Sequence, residues 1–385
     1  MEILMQLAIV FIAAKLAGHI SVRFGQPTVL GQLIVGILIG PAVFGFVDNS
    51  EFIQELSHIG VIILMFLAGL ETDLGEFRSS AKASTYVGVV GVIVPFGGGY
   101  LSAHALGLDV FASLFFGLVL SATSVSISVQ VLRELGKLRS KEGAAIMGAA
   151  VLDDVLVIVL LAVLMSFLGG EVSIGGVLLQ KALFFIVAIL AAWKLVPWAM
   201  GKLAVMRVAE APLLAALIIC LAFAYFAEYT GVAAIIGAYI AGIAIGLTPH
   251  NHEVAQKAEV LGYSFFIPVF FISIGFSAEI TGISAYYWWL MIPLCLFAVL
   301  SKLIGGGLGA KLAGFTWTSS WRVGAGMVSR GEVALILASL GLNDHLLEPG
   351  MFTILIIAIL FTTVASPPLL KLFFSEKKTK SVQAE

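Results

Sequence analysis

The chain has 385 residues, 60% of them hydrophobic and 11% charged, with a formal net charge of −2 and a mean hydropathy of +1.09. Such a composition excludes a water-soluble globule. Its apolar stretches are about 20 residues long, enough to cross a hydrocarbon layer as a helix, and lack the roughly ten-residue alternation of a membrane barrel. With no water to satisfy the backbone, such segments become helices, so the predicted class is an all-α integral membrane protein.

In chain order, MEILMQLAIVFIAAKLAGHISV has no Lys or Arg ahead of its apolar run and reads as a retained first span rather than a signal peptide. Segmentation at Gly, Pro and charge clusters places thirteen spans near 3–22, 27–46, 57–71, 82–104, 109–132, 143–168, 174–198, 210–229, 231–248, 259–278, 283–308, 318–341 and 350–373. Lys15, His19, Glu71 and Asp73 read as interface anchors, and TPHNHEVAQKAE, with His250 and His252, as a solvated connection. Basic residues, among them Arg23, Arg78, Lys137, Lys202 and Lys311, gather in odd-numbered connections and in the tail, while even-numbered ones carry almost none. The positive-inside rule then puts the N-terminus outside and the C-terminus in the cytoplasm. Cys220 and Cys295 lie in apolar stretches without metal or disulfide spacing. Neither an enzyme, a resident cofactor nor a nucleic-acid partner is expected.

GQPTVLGQLIVGILIGP (25–41) resembles GVAAIIGAYIAGIAIGL (231–247), with Gly31, Gly36 and Gly40 each 206 positions before Gly237, Gly242 and Gly246. Gly69 and Gly275 share that offset. The matched spans are the second and ninth, an odd separation, so the two copies run in opposite directions across the membrane. That predicts an inverted-topology repeat, which in secondary transporters places the substrate at the midplane beside broken helices. SATSVSIS (121–128) and GMVSRGEVA (326–334) interrupt apolar helices at equivalent places and are predicted to unwind and cross.

Asp153 and Asp154 fall within GAAVLDDVLVIVLL, Lys302 within FAVLSKLIGGG, and Arg330 with Glu332 at the second predicted break. Each such group costs roughly 2.5–3.5 kcal/mol to insert and marks an ion pathway or an internal pair. Successive helical residues point about 100° apart, so one aspartate can hold an ion while the other meets a partner. Proton and cation then compete for one carboxylate, and hard ions such as Na⁺ prefer oxygen ligands, which Thr123 and Ser124 can complete. Arg330 and Glu332 read as structural, neutralising the exposed termini of a broken helix.

The motifs FLAGLETDL (66–74), SATSV (121–125), VLDDV (151–155) and SRGEVAL (329–335), in this order and spacing, resemble the bacterial monovalent cation:proton antiporter-2 family, within the sodium/proton antiporter fold. The resemblance implies a homodimer in the inner membrane. Residues 1–81 and 209–281 would form a dimerisation panel, 82–170 and 282–374 an ion-binding core, 171–208 a linker helix and 375–385 a cytoplasmic tail. It further implies Asp154 as the main Na⁺ and proton carrier with Asp153 beside it, and Lys302 paired to Asp153 until sodium binds. Exchange of Na⁺ or Li⁺ for H⁺ would be electrogenic and elevator-like. A K⁺/H⁺ antiporter is the alternative. A sodium-coupled organic-anion symporter of similar fold is a further one, against which two adjacent buried acids argue.

Overall fold

The structure, a computed structural model, describes residues 2–167, 174–276, 285–343 and 346–375. Every regular element among them is helical: α1 (Glu2–Arg23), α2 (Thr28–Ile39), α3 (Glu51–Leu70), α4 (Leu74–Ser79), α5 (Ala81–Ala105), α6 (Val110–Ser121), α7 (Val125–Glu134), α8 (Lys141–Phe167), α9 (Ile174–Leu190), α10 (Val196–Leu203), α11 (Ala211–Tyr229), α12 (Ala234–Gly246), α13 (Asn251–Leu261), α14 (Ile267–Phe276), α15 (Ala285–Leu312), α16 (Trp317–Gly326), α17 (Glu332–Asn343) and α18 (Pro349–Phe374). Ten helical stretches are long and apolar enough to cross a membrane, and Thr28–Ile39, Ala234–Gly246 and Val333–Leu342 are shorter apolar helices beside them. The chain is a multi-pass membrane protein. The predicted connections GGEV and SAEITG, and the tail beyond Ser375, lie outside the described residues.

Two predicted connections are helical instead. α3 begins at Glu51, with the buried Ile53 drawing the chain into its helix before the span proper. TPHNHEVAQKAE winds into α13, because Val254 and Ala258 bury one face at i, i+4 while Glu253 and Lys257 pair at 2.7 Å. His252 is therefore helical, and His250 stands at the N-cap position without a side-chain capping bond.

Two π turns, Ala191–Leu195 and Gly262–Phe266, join α9 to α10 and α13 to α14. Each lies just before a proline, Pro197 or Pro268. Proline has no N–H and crowds the carbonyl four residues back, so the helix absorbs it by widening one turn.

Glycines set how closely the helices pack. A Cβ on Gly31 would collide with the carbonyl of Ala17, joining α1 to α2, and one on Gly237 with the carbonyl of Phe223, joining α11 to α12. Across the molecule, Gly36 abuts Gly275 and Gly242 abuts Gly69, so α2 lies on α14 as α12 lies on α3. Gly117 meets the Phe96 carbonyl, and Gly324 meets the Leu303 carbonyl. Each contact recurs in the other half of the chain, displaced by 206 or 207 positions. Helices α1–α3 and α11–α14 pack among themselves, as do α5–α8 and α15–α18, with α9 and α10 against α8 and α11.

Candidate functional site

Two helical paths are interrupted. α6 stops at Ser121 and resumes as α7 at Val125, while α16 stops at Gly326 and resumes as α17 at Glu332. Ser and Thr offer the backbone alternative partners, which favours the first break, and the glycines at 326 and 331 favour the second. The unwound segments narrow to 122–124 and 327–331, inside the predicted stretches. They cross and bond reciprocally. Ser124 N donates to Ser329 O at 2.8 Å, and Ser329 Oγ donates to Ser124 O at 2.6 Å. Ser128 Oγ adds a bond to Gly326 O at 2.6 Å. Gly331 is needed here, because a Cβ would stand 2.7 Å from Ser124 Oγ.

Arg330 is fully buried, and its guanidinium serves only carbonyls. Nε and Nη2 reach Leu120 O at 2.9 and 2.7 Å, and Nη1 reaches Ala298 O at 2.8 Å and Val328 O at 3.3 Å. Its charge thus rests on the C-terminal carbonyls of α6, the negative end of that half-helix, and it ties α6 to α15. The side chain of Glu332 lies outside the described residues, while its backbone begins α17.

Continuous α8 packs against α6, α7 and α16 and carries Asp153 and Asp154, 0% and 6% exposed. Lys302 of α15, also 0% exposed, places Nζ 3.1 Å from Asp153 Oδ2. The Thr123 hydroxyl lies beside the Asp153 carboxylate. Neither Thr123 Oγ1 nor Asp153 Oδ1, however, completes a hydrogen bond within the protein. Buried polar atoms are nearly always satisfied, so these two oxygens fit an oxygen-seeking cation or a bridging water.

The crossing therefore gathers Thr123, Ser124, Arg330 and the start of α17, with Asp153, Asp154 and Lys302 on the helices packed around it. Sequence reasoning missed Ser128, Ser329 and Thr363. Thr363 Oγ1 donates to the carbonyls of Arg330 and Ile359. Only Ser329 carried a signal, standing 205 residues after Ser124 and close to the repeat offset.

Buried acids beside two crossed, broken helices in a multi-pass protein mark an ion carrier. A sodium/hydrogen exchanger transmembrane family model matches residues 7–375, and the chain belongs to that family, one of ion antiporters rather than enzymes. It is 51% identical over 377 residues to the Na(+)/H(+)-K(+) antiporter GerN of Bacillus cereus, covering 98% of this chain and 97% of that one. It is 40% identical to the Na(+)/H(+) antiporter of Enterococcus hirae over all of both chains. The fold is shared with the sodium proton antiporter MjNhaP1 of Methanocaldococcus jannaschii, at a TM-score of 0.70 and 16% identity over 95% of this chain and 94% of that one.

Proposed function

We propose that this chain is a secondary antiporter that exchanges Na⁺ or Li⁺ for H⁺, with Asp154 as the principal carrier and Asp153, Thr123 and Ser124 completing the site. The observation that carries the reading is the buried Lys302–Asp153 pair with a second acid at Asp154 and two unsatisfied oxygens alongside. A dehydrated cation arriving there gains the oxygens of Asp153 and Thr123 and displaces the proton of Asp154. Its charge competes with Lys302 for Asp153, so cation binding and protonation are opposed in one small volume. The exchange is electrogenic in this reading because a second proton leaves the Lys302–Asp153 pair when the cation parts it. Arg330 holds the crossing rather than the ion.

Alternating access then follows from the packing. In this reading α5–α8 with α15–α18 are the moving core, α1–α3 with α11–α14 are a panel that pairs two copies in a homodimer, and α9–α10 are the linker. The recurrence of glycine contacts at offsets of 206 and 207 positions supports an inverted repeat. The quoted motifs support placement in the monovalent cation:proton antiporter-2 branch, and the charge pattern supports the plasma (inner) membrane with the N-terminus outside.

A second reading, K⁺ in place of or beside Na⁺, is favoured by the 51% identical relative named a Na(+)/H(+)-K(+) antiporter. The test is dequenching of a pH-sensitive dye in proteoliposomes holding a proton gradient, with Na⁺, Li⁺ or K⁺ added. Na⁺ and Li⁺ signals that disappear in Asp154→Asn are expected. A signal with K⁺ alone would move the assignment to the second reading, and cation-independent proton movement would end it.

A further inference from the structure

One face of α7 carries Gln130, Arg133 and Glu134 at its C-terminal end, at i, i+3 and i+4, and helices of the opposite group grip all three. Arg133 Nη2 lies 2.7 Å from Glu71 Oε1, just past α3, and 2.7 Å from Glu259 Oε1 on α13. Arg133 Nη1 donates to Tyr263 Oη at 2.7 Å. Tyr263 Oη in turn donates to Gln130 Oε1 at 2.8 Å, and Gln130 Nε2 donates to Glu134 Oε1 at 2.9 Å. Glu134 Oε2 accepts from Thr28 N at 2.6 Å. That last contact is an N-cap supplied from outside the helix: α2 starts after Pro27, which has no side chain to cap it, and its unpaired N–H groups are served by an acid of α7.

One unbroken chain of polar contacts thus runs from the start of α2 through α7 to α13 and α3, crossing between the two helix groups at every link except Gln130–Glu134 within α7. Tyr263 reaches it from the π turn ahead of Pro268. A cavity of about 1120 Å³ opens beside it, lined by Gln32, Gln130, Arg133, Glu134 and Tyr263.

We propose that this chain of contacts is a latch that holds the core against the panel at the cytoplasmic end, and that it must part each time the site opens to the cytoplasm. The proposal rests on the alternating-access reading above. Its links are side chain to side chain or to a helix terminus; Gln130 is buried, but the charged members Arg133, Glu71 and Glu259 are partly exposed and have water as an alternative, so the latch can break and reform without stranding a buried charge.

The test is side-specific labelling of the full-length protein in vesicles, with Gln32→Cys as reporter and the parent, whose Cys220 and Cys295 are buried, as blank. Tyr263→Phe removes one hydroxyl and Glu134→Gln one charge, both at nearly constant shape. An impermeant maleimide applied at the cytoplasmic face is expected to react roughly tenfold faster in each variant, the population shift that loss of one charge-assisted hydrogen bond allows. Labelling from the other face is expected to stay the same. An unchanged rate, or an equal rise from both faces, overturns the latch. The flux of wild type and Asp154→Asn is measured on the same preparations. Intact Asp154-dependent exchange with unchanged labelling sinks the latch alone, whereas absent exchange sinks the transport reading independently of the labelling.

Discussion

The crossing of the broken helices and the end of α7 both concentrate polar groups, but they are built from different parts. At the crossing, donors reach carbonyls: Arg330 to Leu120 and Ala298, Ser329 to Ser124, Thr363 to Arg330 and Ile359. These groups are buried, so breaking one contact leaves a polar atom with no substitute partner, at about 1–3 kcal/mol. At the end of α7, Arg133, Glu71 and Glu259 have side chains 17%, 19% and 43% exposed, and water can replace each link. The first region is built to keep its geometry, and the second, on the latch proposal, to let go.

Four predictions can break or sharpen that contrast. The largest effect belongs to the proposed ion site, where Asp154→Asn is expected to reduce cation-driven proton flux to the background of empty liposomes. Next, Lys302→Ala leaves Asp153 as an uncompensated buried charge, expected to cost about 3–5 kcal/mol, whereas joint replacement of the pair by Asp153→Asn and Lys302→Met restores most of it. Thermal unfolding in detergent reads both, and equal losses in single and double variants would mean that the pair carries no coupling. Ser329→Ala removes the bond to Ser124 O and is expected to cost about 1 kcal/mol, with a raised KM for the cation and a nearly constant Vmax. A fall in Vmax alone would place the crossing in the moving step instead.

The smallest effect concerns pH. Burial is the main cause that lifts the Glu71 carboxyl above its ordinary range, and Glu259 nearby adds to it, while Arg133 and Arg139 oppose both. Glu71 therefore gains its proton, and Arg133 loses one of its two carboxylates, at a less acidic pH than an exposed glutamate would require. As pH falls through that range, labelling at Gln32→Cys, corrected for the thiolate fraction of the reporter, is expected to rise modestly with Glu71 intact. Glu71→Gln should abolish that corrected rise and hold the corrected rate at the acidic value.

Much of the fold was legible because the bilayer forces long apolar helices and makes each buried charge conspicuous. Asp153, Asp154, Lys302 and Arg330 stood out on cost alone, and the breaks showed as Ser, Thr and Gly inside apolar runs. The α7 network did not. Gln130, Arg133, Glu134 and Tyr263 sit where a span meets water, the place where polar residues are ordinary, so only their three-dimensional pairing distinguishes them from interface anchors. Glu71 was misjudged for the same reason. The helical start of α13 was hidden by its polar composition, since its apolar face consists of Val254 and Ala258.

The recurring glycine contacts carry a final implication about bias. On the inverted repeat proposed above, the two halves serve as equivalent scaffolds, so a preference for one orientation is written in side chains. At the 207-residue displacement that relates Gly117 to Gly324, the counterparts of Gln130, Arg133 and Glu134 are Leu337, Leu340 and Gly341, and Gly341 packs against Phe115 and Leu347. An ionic fastening thus sits at the end of α7, where the equivalent turn of α17 is apolar. On the latch proposal, closure at the α7 end is salt-sensitive, so ionic strength on that side of the membrane becomes a handle on which way the carrier rests.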